Sequence, residues 1–377
     1  MKQNTFLLLL LISSSLMGQI TSQTITSNIL ENSRTIDLYI PEIEEGNVEP
    51  LPLIVVLEGD KIFNLVVSNV KFLSENDYMP KAIVVGINQA GYYQKQRDFE
   101  LDKSTGQLTN RGANFKQFIK SDIIRKLSIQ FPLSKLKIII GQNKGANFIN
   151  YFLLDNSNTF TTYIAVNPDM PQAIIEPLIE KLKNTTNETN YHLFNSANLP
   201  VNQGKKISDF SKDFKEVENS MLRKSYKLFS YPDEISSVAY SIPIALETMF
   251  RTFQPISVKE FKENLLNDTI VPHQYLIDKY QKITNELGIQ KKIILNDIIA
   301  VFEASKQKSD AESLFVIGEL CLDLYPDAVI GHYFNGLAYE IIEEYKKALK
   351  SYERAYNFKP ISFISKEMIL NKIESLK

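Results

Sequence analysis

A single cysteine, Cys321, occurs in 377 residues, which excludes an internal disulfide and a cysteine-based metal site. Histidine is nearly as scarce, with only His192, His273 and His332. Neither sign of charge is in excess. The formal net charge is −2, no basic run occurs, and no aromatic residues interleave with arginine, so nucleic acid is not an expected partner. There is no phosphate-binding glycine loop and no metal-ligand cluster, so neither a cofactor nor a metal is expected.

What is present describes an ordinary folded chain. Hydrophobic residues make up 44% and charged residues 23%, enough for a buried core under a polar surface. The length suits two modest domains, or one large domain with an extension. At the start, Met1-Lys2-Gln3-Asn4 leads into the apolar run Phe6 to Ile12, then into Ser13-Ser14-Ser15 and Gly18-Gln19. This order predicts a secretory signal peptide over residues 1–18, with Ser22-Gln23 as an alternative cleavage point. The run is too short to span a membrane comfortably. No cysteine follows it, so a lipoprotein anchor is not expected. The predicted mature protein is exported and is periplasmic, envelope-associated or secreted.

Alternating residues predict strands at Ile25–Leu30 and Arg34–Pro41. Continuous apolar runs at Leu53–Leu57 and Ala82–Gly86 predict buried central strands. Further strands are expected at Leu136–Ile140, Tyr163–Val166, His192–Phe194 and Tyr226–Phe229, with helices at 115–130, 145–154 and 238–253. Such alternation predicts an α/β fold with a mostly parallel sheet covered on both faces. From Val258 only helical periodicity remains, so the expected domains are residues 24–254 (α/β) and 255–377 (all-helical).

Directly after the run Leu136-Lys137-Ile138-Ile139-Ile140 comes Gly141-Gln142-Asn143-Lys144-Gly145. An α/β-hydrolase carries Gly-x-Ser-x-Gly at such a place, with the serine on a strained strand-to-helix turn. Here the central residue is Asn143, whose amide cannot form an acyl-enzyme by the usual route. Asparagine tolerates positive φ better than most residues, so it is expected to relieve the strain of the turn.

Residues 25–253 resemble an esterase family of α/β-hydrolases that includes the enterobactin-type siderophore esterases and the esterase D group. The likeness is carried by Ser27 to Pro41, Val56-Leu57-Glu58-Gly59-Asp60, Val84-Val85-Gly86-Ile87, Arg97-Asp98-Phe99 and Ala165-Val166-Asn167-Pro168. It implies an α/β-hydrolase fold, carboxylic-ester hydrolysis, and an oxyanion-like pocket at the elbow formed by Gly59, Gly141, Lys144 and Gly145. Glu58, Asp60, Arg97 and Asp98 stand at positions similar to the family's own. The resemblance also implies three catalytic roles, and each is missing. The nucleophile position is Asn143, the acid position is Asn198, and the histidine position falls at Ile235 or Ser236. Asp233 and Glu234 lie beside the last of these and read as a solvated turn. An aspartate formed by deamidation of Asn143 is a minor route back to chemistry, and Lys144 after it predicts a slow reaction.

Residues 329–362 resemble a tetratricopeptide repeat, with Gly336, Tyr339, Ala348, Tyr352, Ala355 and Pro360 at the helix-packing positions. The preceding unit is degenerate, with Gly318 and Cys321 at those positions, and a capping helix is expected from Ser362 to Ser375. Such a tail either docks a protein or stabilises the fold. Asn184-Thr185-Thr186, Asn187-Glu188-Thr189 and Asn267-Asp268-Thr269 match glycosylation sequons. Three readings follow: an exported pseudo-hydrolase that binds a protein partner or a small acyl or aryl ligand; an active ester hydrolase using an atypical site; and a structural part of an exported complex.

Overall fold

The computed structural model describes residues 19–43, 49–155 and 158–377. The signal peptide expected over 1–18 lies outside them. The chain forms two compact units, one of residues up to 76 together with 80–249, the other of 77–79 with 250–377.

The first unit is built on an eight-stranded sheet: β1 (Gln19–Ser27), β2 (Asn32–Ile40), β3 (Leu51–Val56), β4 (Ile83–Ile87), β5 (Leu133–Gln142), β6 (Thr162–Val166), β7 (Thr189–Ser196) and β8 (Leu222–Phe229). The spatial order is β1-β2-β4-β3-β5-β6-β7-β8. β1 and β2 are antiparallel, as are β2 and β4, and every other neighbour pair is parallel. β1 lies earlier than the strand expected at Ile25–Leu30. It is mostly polar, and its place is set by residue-for-residue pairing with β2, from Gln19 opposite Ile40 to Ser27 opposite Asn32.

The helices of this unit are α1 (Gly59–Glu75), α2 (Tyr92–Asp98), α3 (Asn110–Phe118), α4 (Arg125–Gln130), α5 (Lys144–Phe148), α6 (Asn150–Leu154), α7 (Gln172–Lys183), α8 (Val201–Glu216) and α9 (Glu234–Met249). The helix expected at 115–130 starts at Asn110 because Thr109 caps it, and a wide π-turn at Ile119–Ile124 joins α3 to α4. Alternate residues of the central strands face opposite ways. Leu53, Val55, Leu57, Ile83, Val85 and Ile139 share one core with Phe115, Phe118, Phe148, Phe152, Phe210 and Phe214 from α3, α5, α6 and α8. On α1 and α9, Val66, Val70, Ile242 and Leu246 are likewise fully buried. Burying both faces is what allows the strands to be continuous apolar runs.

The second unit holds α10 (Val258–Glu260), α11 (Pro272–Leu287), α12 (Leu295–Gln307), α13 (Ala311–Leu324), α14 (Ile330–Ile341), α15 (Tyr345–Ala355) and α16 (Lys366–Ser375). α13 packs on α14, α14 on α15, and α15 on α16. A Cβ added to Gly336 of α14 would lie 2.5 Å from the Tyr352 ring of α15, so only glycine admits that ring. Ala348, Tyr352 and Ala355 are fully buried on the same side of α15. No helix among the described residues is long and apolar enough to cross a membrane.

Candidate functional site

The chain turns from β5 into α5 at Asn143, with φ 50° and ψ −116°. A Cβ on Gly141 would lie 2.5 Å from the Gly145 backbone, so the turn closes only because residue 141 has no side chain. The positive φ expected for an elbow is present. The relief expected from asparagine is not, because the left-handed well that suits asparagine has ψ of about +30 to +60°. Asn143 therefore sits in a strained backbone conformation at the strand-to-helix turn.

The Asn143 backbone is tied to Val166, Asn147 and Asp169, and its side chain is held by Glu234, the first residue of α9. The Asn143 Nδ2 donates to Glu234 Oε1 at 2.5 Å, while the buried Asn143 Oδ1 has no partner among the described residues. The residue that reaches the elbow from this loop is thus Glu234 and not Ile235 or Ser236, the two expected there. Ile235 is 82% exposed, and Ser236 is exposed with its N–H bound to Asp233. That bond caps α9, which starts at Glu234 instead of Val238. Of the acidic pair, Asp233 is exposed as a solvated turn requires. Glu234 is half-buried and accepts the Asn143 hydrogen bond.

Asn167 forms a second strained corner, with φ 50° at the end of β6. Its Nδ2 donates to Ser237 Oγ at 2.8 Å and to the Glu234 carbonyl at 3.1 Å, and its Oδ1 accepts from Ser196 N at 2.9 Å. The Ser196 hydroxyl is buried and donates to the Pro232 carbonyl, and the Ser237 hydroxyl donates to the Glu234 carbonyl at 2.9 Å. The Ser196 and Ser237 hydroxyls thus each donate to a backbone carbonyl. Asn198, the expected acid position, is exposed and ties its Nδ2 to the Tyr231 carbonyl at 3.1 Å. The β7 loop and the loop before α9 are stitched together by amides and hydroxyls.

Behind the elbow lies a buried ionic network. Glu58 is 1% exposed, sits at positive φ before α1, and pairs with Lys95 of α2; its Oε1 lies 3.4 Å from where a Gly145 Cβ would be and has no hydrogen-bond partner among the described residues. The Glu58 N–H donates to Gln89, whose Nε2 donates to Asp98 Oδ2 at 2.9 Å. Asp98 also pairs with the buried Arg34 at 2.5 Å. Burial raises the Asp98 carboxyl to about 6 against the pull of the Arg34 charge and the Gln89 hydrogen bond. Asp60 accepts from the Gln89 N–H at 2.9 Å, Gly59 packs against the Gly86 backbone, and Lys144 and Arg97 are exposed. Glu58, Asp60 and Asp98 thus brace the loop in front of the elbow. Sequence reasoning missed their partners Arg34, Gln89 and Lys95, which lie on β2, after β4 and on α2 with no local spacing to link them.

Each of the three histidines has a contact of its own. His192 is buried in β7 with Nδ1 2.7 Å from Ser225 Oγ, and burial lowers it to about 4. His273 Nδ1 lies 2.9 Å from Ser313 Oγ, and His332 packs its ring on Phe358. Among the described residues no group of histidine, cysteine and carboxylates is placed to hold a metal.

Solved structures place this architecture. A protein from Capnocytophaga ochracea described as uncharacterised aligns over 95% of this chain and 99% of its own, at 27% identity and a TM-score of 0.83. An IroE-like serine hydrolase from Shewanella oneidensis aligns over 81% of this chain and 100% of its own, at 16% identity and a TM-score of 0.62. The first unit has the fold of the esterase-like α/β-hydrolases. The siderophore hydrolase EstA from Aspergillus nidulans is similar over 62% of this chain and 94% of its own, at 12% identity and a TM-score of 0.51. No protein-family model matches the sequence, and no curated relative does.

Proposed function

We propose that this protein is an exported, esterase-like binding module that has given up ester hydrolysis. The observation that carries this is the Asn143 amide at the elbow, held by Glu234. An acyl transfer needs a nucleophile with a base in hydrogen-bond reach. Here the elbow offers an amide, its partner is a carboxylate, and the two nearby serine hydroxyls are bound to carbonyls. Glu58, Asp60 and Asp98 then keep the loop shape of an esterase without its chemistry.

The helical unit supplies a second binding element. A tetratricopeptide-like pair at 329–362 is supported by the Gly336–Tyr352 fit between α14 and α15. A lone pair needs neighbours to cover its faces, and α13 and α16 pack on either side. We assign it to docking a protein partner, with the elbow free for a small acyl or aryl ligand.

The test is turnover of short acyl and aryl esters by the purified protein beside Asn143→Ala. Neither protein is expected to exceed the buffer rate. Turnover lost in Asn143→Ala would overturn the proposal and return the chain to the hydrolases, the class named for its Shewanella neighbour.

A further inference from the structure

The backbone of Asn143 has a chemical consequence that its side chain alone does not. In an L-residue, Cβ stands about 120° round the Cα–C bond from the backbone nitrogen. A ψ of −116° therefore brings Cβ almost into eclipse with the amide nitrogen of Lys144. In a helix or strand, where ψ is about −42° or +135°, those atoms are far from eclipse. Eclipse is what a nearly planar five-membered ring through Lys144 N and Asn143 C, Cα, Cβ and Cγ requires. Holding reactants in that arrangement removes much of the entropic barrier to closing it. Lys144 is the first residue of α5, so its N–H has no acceptor within that helix.

We infer that Asn143 is a self-modification site, at which the side-chain amide cyclises onto the Lys144 backbone nitrogen to give a succinimide that water opens to aspartate. The Lys144 nitrogen bonds to Cγ, and its proton passes to the Glu234 carboxylate. The Cγ–Nδ2 bond then breaks, and Nδ2 leaves as ammonia carrying that proton, so Glu234 is returned ionised. Glu234 is placed for this because its Oε1 already binds Nδ2 at 2.5 Å. Water can open the ring at Cγ, giving aspartate, or at the backbone carbonyl, giving isoaspartate. Isoaspartate lengthens the main chain where Gly141 and Gly145 leave no room, so aspartate is the main product. That product sets a carboxylate against Glu234, and two carboxylates so close share a proton. The slow reaction expected from Lys144 as the following residue is thus reversed by the fold.

The neighbouring corner is a built-in control. Asn167 also has positive φ, but Pro168 follows it and has no N–H with which to cyclise.

The experiment incubates the full-length protein, folded and in urea, in mildly alkaline water enriched in ¹⁸O, then digests it in acid for mass spectrometry. Conversion at Asn143 is expected to be roughly tenfold faster in the folded protein, with one ¹⁸O incorporated and aspartate exceeding isoaspartate. Folded protein converting no faster than unfolded would overturn the inference, as would equal conversion at Asn167, which would mean direct amide hydrolysis. Glu234→Gln retains a hydrogen-bonding side chain without the carboxylate. It is expected to slow Asn143 several-fold, and an unchanged rate would remove Glu234 from the step. The readout is mass, so it holds whether or not esters are turned over.

Discussion

At Asn143 a strained backbone is held by its N–H to the Val166 carbonyl, by its own carbonyl accepting from the Asn147 and Asp169 N–H groups, and by its side chain. Strain of this kind costs about 1–3 kcal/mol and persists only where surrounding contacts hold it. The shown side-chain contact is the hydrogen bond to the half-buried Glu234. Removing a hydrogen bond to a charged group costs about 1.5–3 kcal/mol when buried. With partial exposure, Glu234→Ala is expected to lose about 1 kcal/mol, read as a lower urea midpoint with an unchanged slope. No loss would mean that Glu234 does not hold the corner. The strand-to-helix turn at Asn143 was legible in the sequence because the glycines frame it. The partner was not. Asp233 and Glu234 look alike in sequence, and only the start of α9 separates a capping residue from one that turns inward.

Among elements, the elbow and the helix pair were both legible through small residues at fixed spacing, since close approach is the property glycine alone supplies. Gly141→Ala tests the first. The added methyl would meet the Gly145 carbonyl carbon and oxygen at 2.5 Å and the Ala146 nitrogen at 2.7 Å, all backbone atoms that cannot rotate away. Overpacking of this sort costs about 3 kcal/mol. The variant is expected to unfold at distinctly lower urea; parent-like stability would mean that the turn is not closed as described. Element boundaries were less legible. β1 is polar and ordered by its partner strand, while α3 and α9 start at the caps Thr109 and Asp233, ahead of their apolar periodicity. The Arg34–Asp98–Gln89–Glu58 chain was invisible because four separate segments of the chain converge to make it.

At the scale of the whole molecule, stability should depend on pH through His192. Its folded value of about 4 lies below the ordinary 6.5, because burial disfavours the charged ring. Above pH 6.5 the ring is neutral in both states and contributes nothing. As pH falls from 6.5 towards 4 the unfolded chain takes up a proton that the folded chain refuses, and stability declines. The full loss is at most about 3 kcal/mol. Asp98, raised to about 6, works in the opposite sense over part of this range. The comparison is therefore with His192→Gln, whose midpoint should fall less between pH 7 and pH 4.5 (~2.5 units). Parallel curves would mean that the ring is not buried neutral.

The central strands were legible as apolar runs that a sheet covered on both faces must bury, whereas their spatial order was not. What the sequence did not disclose was which polar groups around the elbow pair with one another. The central claim is that no activated serine remains anywhere in this esterase-like unit, and an alkyl fluorophosphonate tests it most directly. Intact-mass measurement after exposure should show the native protein unmodified, and Asn143→Ser unmodified as well, since Glu234 stands where a histidine is needed. A stoichiometric adduct on any serine of the native protein would contradict the account.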